Sequence, residues 1–242
     1  MREIYGNAMH SWFTSGLLSI FFPKTCALCG QYIGENETSC LCKHCIDKLP
    51  RTEQAEHRQN STEMVFYKDR KTMHIDRAAA FLFYDKDTPI QRLIHKMKYA
   101  DQPEIGYQLG RLAALEFQYT DFLDEIDRIV PIPLHPKRLR ERGYNQSEYI
   151  ARGISDVTGI PVDTTHVTRI KNTPKQALQT GEERTHNVAD AFDVNHPEQL
   201  YHQRILIVDD LITTGETMRS CIRAMKRIRG ATFCIFSLCK AR

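Results

Sequence analysis

Apolar positions along this chain fall into two kinds of run. Short apolar-rich runs read as strands at 78–84, 128–133, 189–194, 205–208 and 232–238, and the unbroken one, Ile205 to Val208, has the pattern of a strand buried on both faces of a parallel sheet. The run at 128–133 cannot stay paired past its prolines, Pro131 and Pro133. Between these runs the apolar residues recur with a helical period. Thr88-Pro89 opens a helix with Ile90, Leu93, Ile94 and Met97 on one face and His95, Lys96 and Lys98 on the other. Residues 103–118 predict a second helix, with Ile105, Leu109, Leu112 and Leu115 as its stripe. A third starts near Ser147 and turns Tyr149, Ile150, Ile154 and Val157 inward. The last spans 216–229, with Met218, Cys221, Ile222, Met225 and Ile228 inward, a basic outer face, and Gly230 as its cap. Strands alternating with helices predict an α/β fold built on a parallel sheet.

Two stretches lack either period. Residues 51–72 are polar and rich in Glu, Gln, Lys and Arg, which suits a connection. Residues 168–187 are polar and punctuated by Pro174 and Gly181, the composition of a lid over a site. Near the start, Gly16 to Phe22 is a brief apolar segment without a small-residue cleavage site after it, and it reads as a short amphipathic helix rather than a signal core. The implied organisation is an N-terminal helix and cysteine module over 1–50, a linker over 51–75 and the main domain over 76–242.

Five of the eight cysteines lie between 26 and 45. Cys26-Ala-Leu-Cys29 and Cys42-Lys-His-Cys45 are two knuckles whose four thiolates can close a tetrahedron around Zn²⁺. Four sulfur ligands leave no open position, so the metal is expected to be structural. His44 sits between two ligands of one knuckle and Cys40 needs an unusual loop, so both are left out of the set. Clustered thiols used as ligands suit a reducing compartment, here the cytoplasm.

The run Arg204-Ile-Leu-Ile-Val-Asp-Asp-Leu-Ile-Thr-Thr-Gly-Glu-Thr217 carries the most chemistry. Asp209 and Asp210 follow a buried strand, at the end where open α/β sheets place ligands. Leu211, Ile212, Thr213, Thr214, Gly215, Glu216 and Thr217 lead into a helix whose free N–H groups and positive dipole end form a phosphate cradle. A carboxylate pair suits a sugar diol and the cradle suits a phosphate. There is no Gly-Lys-Ser/Thr of a Walker A loop and only one glycine of a Rossmann turn.

This run resembles the ribose-5-phosphate-binding signature of type I phosphoribosyltransferases. The resemblance implies 5-phosphoribosyl 1-pyrophosphate (PRPP), or another ribose-5-phosphate compound, as ligand. It implies ribose hydroxyls held by the two acids, often with Mg²⁺, and the 5-phosphate wrapped by the Thr-Thr-Gly-x-Thr loop. A second segment, Arg138-Leu-Arg-Glu-Arg-Gly-Tyr-Asn-Gln146, is strongly basic in a chain of net charge only +3. Arg142, with the neighbouring Gly143 and Tyr144, can face a departing pyrophosphate, and Lys175 in the polar lid can bring charge over it. Lys137 and Arg140 read equally well as solvated surface.

Taken in order, the cysteine knuckles, Lys96-x-Lys98-Tyr99, Arg142-Gly-Tyr-Asn-Gln146, the Arg169…Gln176…Arg184…Asn187 loop and the Asp-Asp run are similar to the ComF family of competence-associated proteins. The resemblance implies a type I phosphoribosyltransferase-like domain behind a small four-cysteine zinc module. It leaves two functions open. One is an enzyme in which Asp209, Asp210 and Arg142 assist phosphoribosyl transfer to an acceptor. The other is an accessory protein in uptake of single-stranded DNA, with a DNA-translocation protein as partner. No apolar run approaches the roughly 18–20 residues of a membrane-spanning helix, so no membrane insertion is expected.

Overall fold

The structure, a computed structural model, describes residues 24–34, 39–52, 60–171 and 191–242. The expected helix at 16–22 and most of the expected lid, Lys175 included, lie outside the described residues. Among the described residues the first helix is short, α1 (Lys43–Asp47), inside the cysteine module. Next comes α2 (Ser61–Phe66), whose cap Asn60 accepts hydrogen bonds from the Thr62 and Glu63 N–H groups through Oδ1. The polar stretch read as a connection therefore contributes ordered structure. Its earlier part also pairs with the sheet: the N–H of Phe83 donates to Pro50 O at 2.7 Å and that of Thr52 to Phe81 O at 3.0 Å. This covers an otherwise open strand edge.

The main unit continues with β1 (Ile75–Tyr84), α3 (Pro89–Tyr99), α4 (Glu104–Phe117), β2 (Arg128–Pro131), α5 (Pro136–Arg142) and α6 (Gln146–Thr158). Then follow β3 (Val167–Arg169), β4 (Phe192–Val194), β5 (Arg204–Ile212), α7 (Glu216–Met225) and β6 (Thr232–Ala241). β1, β6, β5 and β2 form one sheet in that order, and every pairing is parallel. β3 and β4 make a separate antiparallel pair. The continuous apolar runs lie where the pattern put them: Ile205 to Val208 and Phe233 to Cys239 are buried. Both faces are covered, which is why these strands do not alternate.

On one face α7 inserts Met218, Cys221, Ile222 and Met225 against Ile205, Ile207 and Phe233. The other face carries α4 and α6, which approach one another closely. A Cβ at Gly110 would lie 2.3 Å from Ile150 O, and one at Gly153 would lie 2.1 Å from Tyr107 O. Here the expected stripe of α4 needs correcting. Leu112 is half-buried and Leu115 is exposed, while Gly106, Gly110, Ala113, Ala114 and Phe117 face inward with Ile105 and Leu109. A second correction concerns the basic segment read as a loop, because 136–142 is helical. Pro136 starts α5, His135 Nδ1 accepts the Lys137 N–H at 3.2 Å, and Gly143 ends it at φ +84°. The last helix also stops at Met225, short of Gly230.

Contacts divide the chain at Leu49/Pro50 into two units. In the first, residues 24–33 turn back on themselves: Thr25 pairs with Tyr32, and the N–H of Gly30 donates to Cys26 O at 2.8 Å. Among the described residues no helix is long and apolar enough to cross a membrane.

Candidate functional site

β5 does not stop at its acids. It remains paired with β6 through Asp209↔Ser237, Leu211↔Cys239 and Ile212↔Lys240. Leu211 and Ile212, expected in the loop, thus belong to the strand, and Ile212 is 2 % exposed within the core. β6 is long enough to keep the ladder intact past the acids, so the loop proper begins at Thr213.

Successive side chains of a strand point to opposite faces, and the two acids accordingly have different partners. Asp209 Oδ1 accepts the Ser147 Oγ–H at 3.0 Å and the Asp210 N–H at 2.9 Å. Ser147 is held there by the start of α6, where Asn145 Oδ1 accepts its N–H at 3.2 Å and Asn145 Nδ2 donates to Ile132 O at 3.0 Å. Asp210 faces the other way, with Lys98 Nζ 2.8 Å from its Oδ2. These two side chains are only 11 % and 7 % exposed. Burial, followed by the Asp210 charge, pushes the Asp209 carboxyl up to about 7, although the Asp210 N–H, Lys98 and Ser147 pull the other way. Burial alone would lower Lys98, but attraction to Asp210 and then Asp209 more than offsets it, with Arg142 opposing. Lys98 is thus held as an ammonium.

Lys98 opens onto a cavity of about 610 Å³ lined also by Tyr99, Asp101, Arg138, Arg140 and Arg142 together with Glu141, Gly143 and Tyr144. Its wall is braced at two points. Tyr144 Oη donates to Met97 O at 2.6 Å, and the Arg142 guanidinium lies 5.1 Å above the Tyr99 ring. Arg142 also donates to Gln146 Oε1. Three arginines and a lysine around one hollow make it an anion receptor. Arg169, at the end of β3, stacks on Phe192 at 5.3 Å; burial first, then the Arg138 charge, lowers its affinity for a proton, with Asp209 opposing.

Beyond β5, Thr213 and Thr214 are exposed and Gly215 is buried at φ +78° at the N-cap of α7. A Cβ at Gly215 would meet the Phe66 ring at 2.8 Å, so only glycine lets α2 close over this turn. Arg219 fixes the same turn, donating to Thr214 O at 2.5 Å and to Asp69 Oδ2 at 2.7 Å. Glu216 is occupied by Arg223 at 2.5 Å, and Thr217 is half-buried in the first turn of α7. The structure therefore brings Asp209, Asp210, Arg142, Gly143 and Tyr144 to one neighbourhood through α3, α5 and α6. Lys98 joins them; the sequence marked it only as part of Lys96-x-Lys98-Tyr99, with no role at the site. Its signal was faint: a lysine two residues after Lys96, on the face of α3 opposite the apolar stripe.

In the cysteine module, the Sγ atoms of Cys26, Cys29, Cys42 and Cys45 all lie within 4.8 Å of one another. The Cys29–Cys42 pair is 3.8 Å apart. Zn–S bonds of about 2.3 Å in a tetrahedron put sulfurs about 3.8 Å apart, so the donor set fits zinc. Burial would raise the Cys26 thiol, but N–H groups of Cys29, Cys42 and Leu28 outweigh it and hold it down at about 6. Cys45 is raised by burial and by its neighbouring sulfurs. Cys40 and His44 stand outside the group of four, as expected.

The phosphoribosyl transferase domain family matches residues 144–242. A protein of Escherichia coli K12 named DNA utilization protein YhgH is 33% identical over 159 residues, covering 64% of this chain and 69% of that one. Competence protein F of Haemophilus influenzae is 29% identical over 157 residues, covering 63% and 69%. The Bacillus subtilis glutamine PRPP amidotransferase structure covers 58% of this chain and 30% of its own at 17% identity; its TM-score of 0.38 is too low to carry weight.

Proposed function

This chain belongs to the ComF family of proteins with a phosphoribosyltransferase domain, and we propose that it binds PRPP and transfers the phosphoribosyl group to an acceptor. The observation that carries the reading is the pair Asp209–Asp210 on β5, flanked by the Gly215 turn on one side and, through Lys98, by the basic cavity on the other. In this reading the ribose diol lies against the two acids. The 5-phosphate lies against the N–H groups of 213–217 and the N-terminus of α7. Pyrophosphate lies toward Arg142, Arg138 and Lys98. Transfer breaks the C1–O bond, and pyrophosphate leaves with the electron pair while an acceptor nucleophile bonds to C1. Positive charge builds on the sugar and negative charge on the leaving group, so cations already in place around the cavity stabilise departure more than they stabilise bound substrate.

Carboxylates are hard oxygen donors of the kind Mg²⁺ takes; Asp210 Oδ2 already meets the Lys98 ammonium at 2.8 Å, so Asp209 is the acid that would hold an ion brought in with PRPP. When bound with PRPP, the ion would screen the charge of the diphosphate. Zn²⁺ at Cys26, Cys29, Cys42 and Cys45 would close the N-terminal module and take no part in transfer. Thiolate ligation of this kind suits the cytoplasm.

Calorimetric titration with PRPP tests the reading. Binding should be measurable in the wild type and fall at least about tenfold in Asp210→Asn, which removes a charge from the sugar site. Absence of binding in the wild type, with and without Mg²⁺, would refute it. A second reading is favoured by the names of the relatives and by exposed Tyr99 beside Arg138, Arg140 and Arg142. Here the protein handles single-stranded DNA, with bases on the aromatic ring and phosphates on the arginines. Tight, steeply salt-dependent binding of an oligonucleotide that survives Asp209→Asn and Asp210→Asn would favour it.

A further inference from the structure

Asp210 is 5 % exposed, and among the described residues its Oδ2 has no hydrogen bond of good geometry; the charge it meets is the Lys98 ammonium at 2.8 Å. An unpaired carboxylate in such a place is costly, so the lysine cannot be incidental. Lys98 occupies the last turn of α3, where unpaired helix carbonyls favour a cation. Its backbone is fixed on both sides: Met97 O accepts from Tyr144, and Tyr99 lies beneath Arg142. Its side chain has two faces, one on Asp210 and one on the cavity shared with Arg138, Arg140 and Arg142.

We propose that Lys98 is the resident cation of this site. Its ammonium takes the place at Asp210 that a divalent ion would otherwise occupy, so the carboxylate is neutralised from within the protein and a sugar phosphate is accepted without metal at that oxygen. Lys98 is thereby a positioning residue: it sets the direction of Asp210 and joins the sugar side of the site to its anion side. The part of this proposal that concerns sugar phosphate rests on the function proposed above; the part that concerns charge does not.

Two experiments on the full chain test it. The first follows thermal unfolding of the wild type, Lys98→Met and Lys98→Met/Asp210→Asn in divalent-free buffer and with Mn²⁺. Lys98→Met should lower the midpoint by about 5 °C or more, and the added Asp210→Asn should recover most of the loss. Mn²⁺ should raise the midpoint of Lys98→Met by at least about 3 °C and leave the wild type within about 1 °C. Equal stabilisation of both proteins by Mn²⁺, or no recovery in the double variant, overturns the proposal. If Lys98→Met alone fails to fold, a folded double variant supports the proposal and an unfolded one overturns it.

The second experiment is calorimetric titration with ribose 5-phosphate. Wild-type affinity should change less than about threefold between divalent-free buffer and Mg²⁺, whereas Lys98→Met should bind about tenfold more weakly until Mg²⁺ is added. A wild type as dependent on Mg²⁺ as the variant overturns the proposal. A wild type that ignores ribose 5-phosphate and PRPP in both buffers defeats the proposed function instead, and the Mn²⁺ comparison still decides the role of Lys98.

Discussion

Replacing Asp209 with asparagine should make the protein more stable, and increasingly so as pH rises. The Asp209 carboxyl is moved from its ordinary 3.8 to about 7, first by burial and then by the charge of Asp210. At about 1.4 kcal/mol per tenfold change in proton affinity, ionising it in the folded state costs about 4 kcal/mol more than in the unfolded chain. Between 3.8 and about 7 the native state keeps a proton that the unfolded chain has released. Stability therefore falls as pH rises through that window and is flat above it. Asparagine carries no such cost, and its Oδ1 still accepts from Ser147 Oγ and the Asp210 N–H. Its advantage over the wild type should be on the order of 1–2 kcal/mol at pH 5 and grow by about 2–3 kcal/mol by pH 8. Urea unfolding of both proteins at the two pH values measures this. A difference that does not change with pH, or an asparagine variant less stable than the wild type at pH 8, would refute the reasoning. The same variant should bind PRPP at least about tenfold more weakly, the trade expected where function requires an unfavourable charge.

Other consequences can be checked one at a time. Gly215→Ala puts a methyl 2.8 Å from the Phe66 ring at φ +78° and should cost about 1–3 kcal/mol in urea unfolding. Gly153→Ala meets the Tyr107 carbonyl at 2.1 Å and should force α4 from α6, costing more than about 3 kcal/mol or abolishing soluble expression. Arg142→Gln should weaken PRPP about tenfold in calorimetry while leaving ribose 5-phosphate within about twofold, since its charge lies toward the pyrophosphate. Elemental analysis should find about one Zn²⁺ per chain, and Cys29→Ser should lose it.

The strands and most helices were legible because burial on two faces leaves a plain mark: Ile205 to Val208 and Phe233 to Leu238 cannot be solvated segments. The inner face of α4 was misread for a physical reason. Large aliphatics mark a stripe only where a helix packs through large side chains. α4 meets α6 through Gly110 and Gly153, so its seam is glycine and alanine, and Leu115 is left at the surface. α5 was missed because a helix that buries none of its residues fully has no apolar period to detect, and its Leu139 is 41 % exposed. The boundary of β5 was misplaced by assuming that two acids end a strand. A ladder ends where its neighbour ends, and β6 runs to Ala241.

At the site the acids were readable with their role, whereas their counter-charge was visible only as a member of Lys96-x-Lys98-Tyr99, without its partner. Asp209 and Asp210 are adjacent and follow a buried strand, so a local window suffices to make them conspicuous. Lys98 stands in an amphipathic helix far back along the chain, among Lys96 and His95, where a lysine is ordinarily solvated. Only the packing of α3 against the Gly143–Tyr144 turn carries its ammonium to Asp210. The general form of this asymmetry is that a sequence displays the groups a ligand touches when they come from one loop. The charges that let those groups be buried come from wherever the topology closes, and their presence can be inferred but their position cannot. Two neighbouring carboxylates on a buried strand required a cation, and the fold supplied it as a lysine at the end of α3.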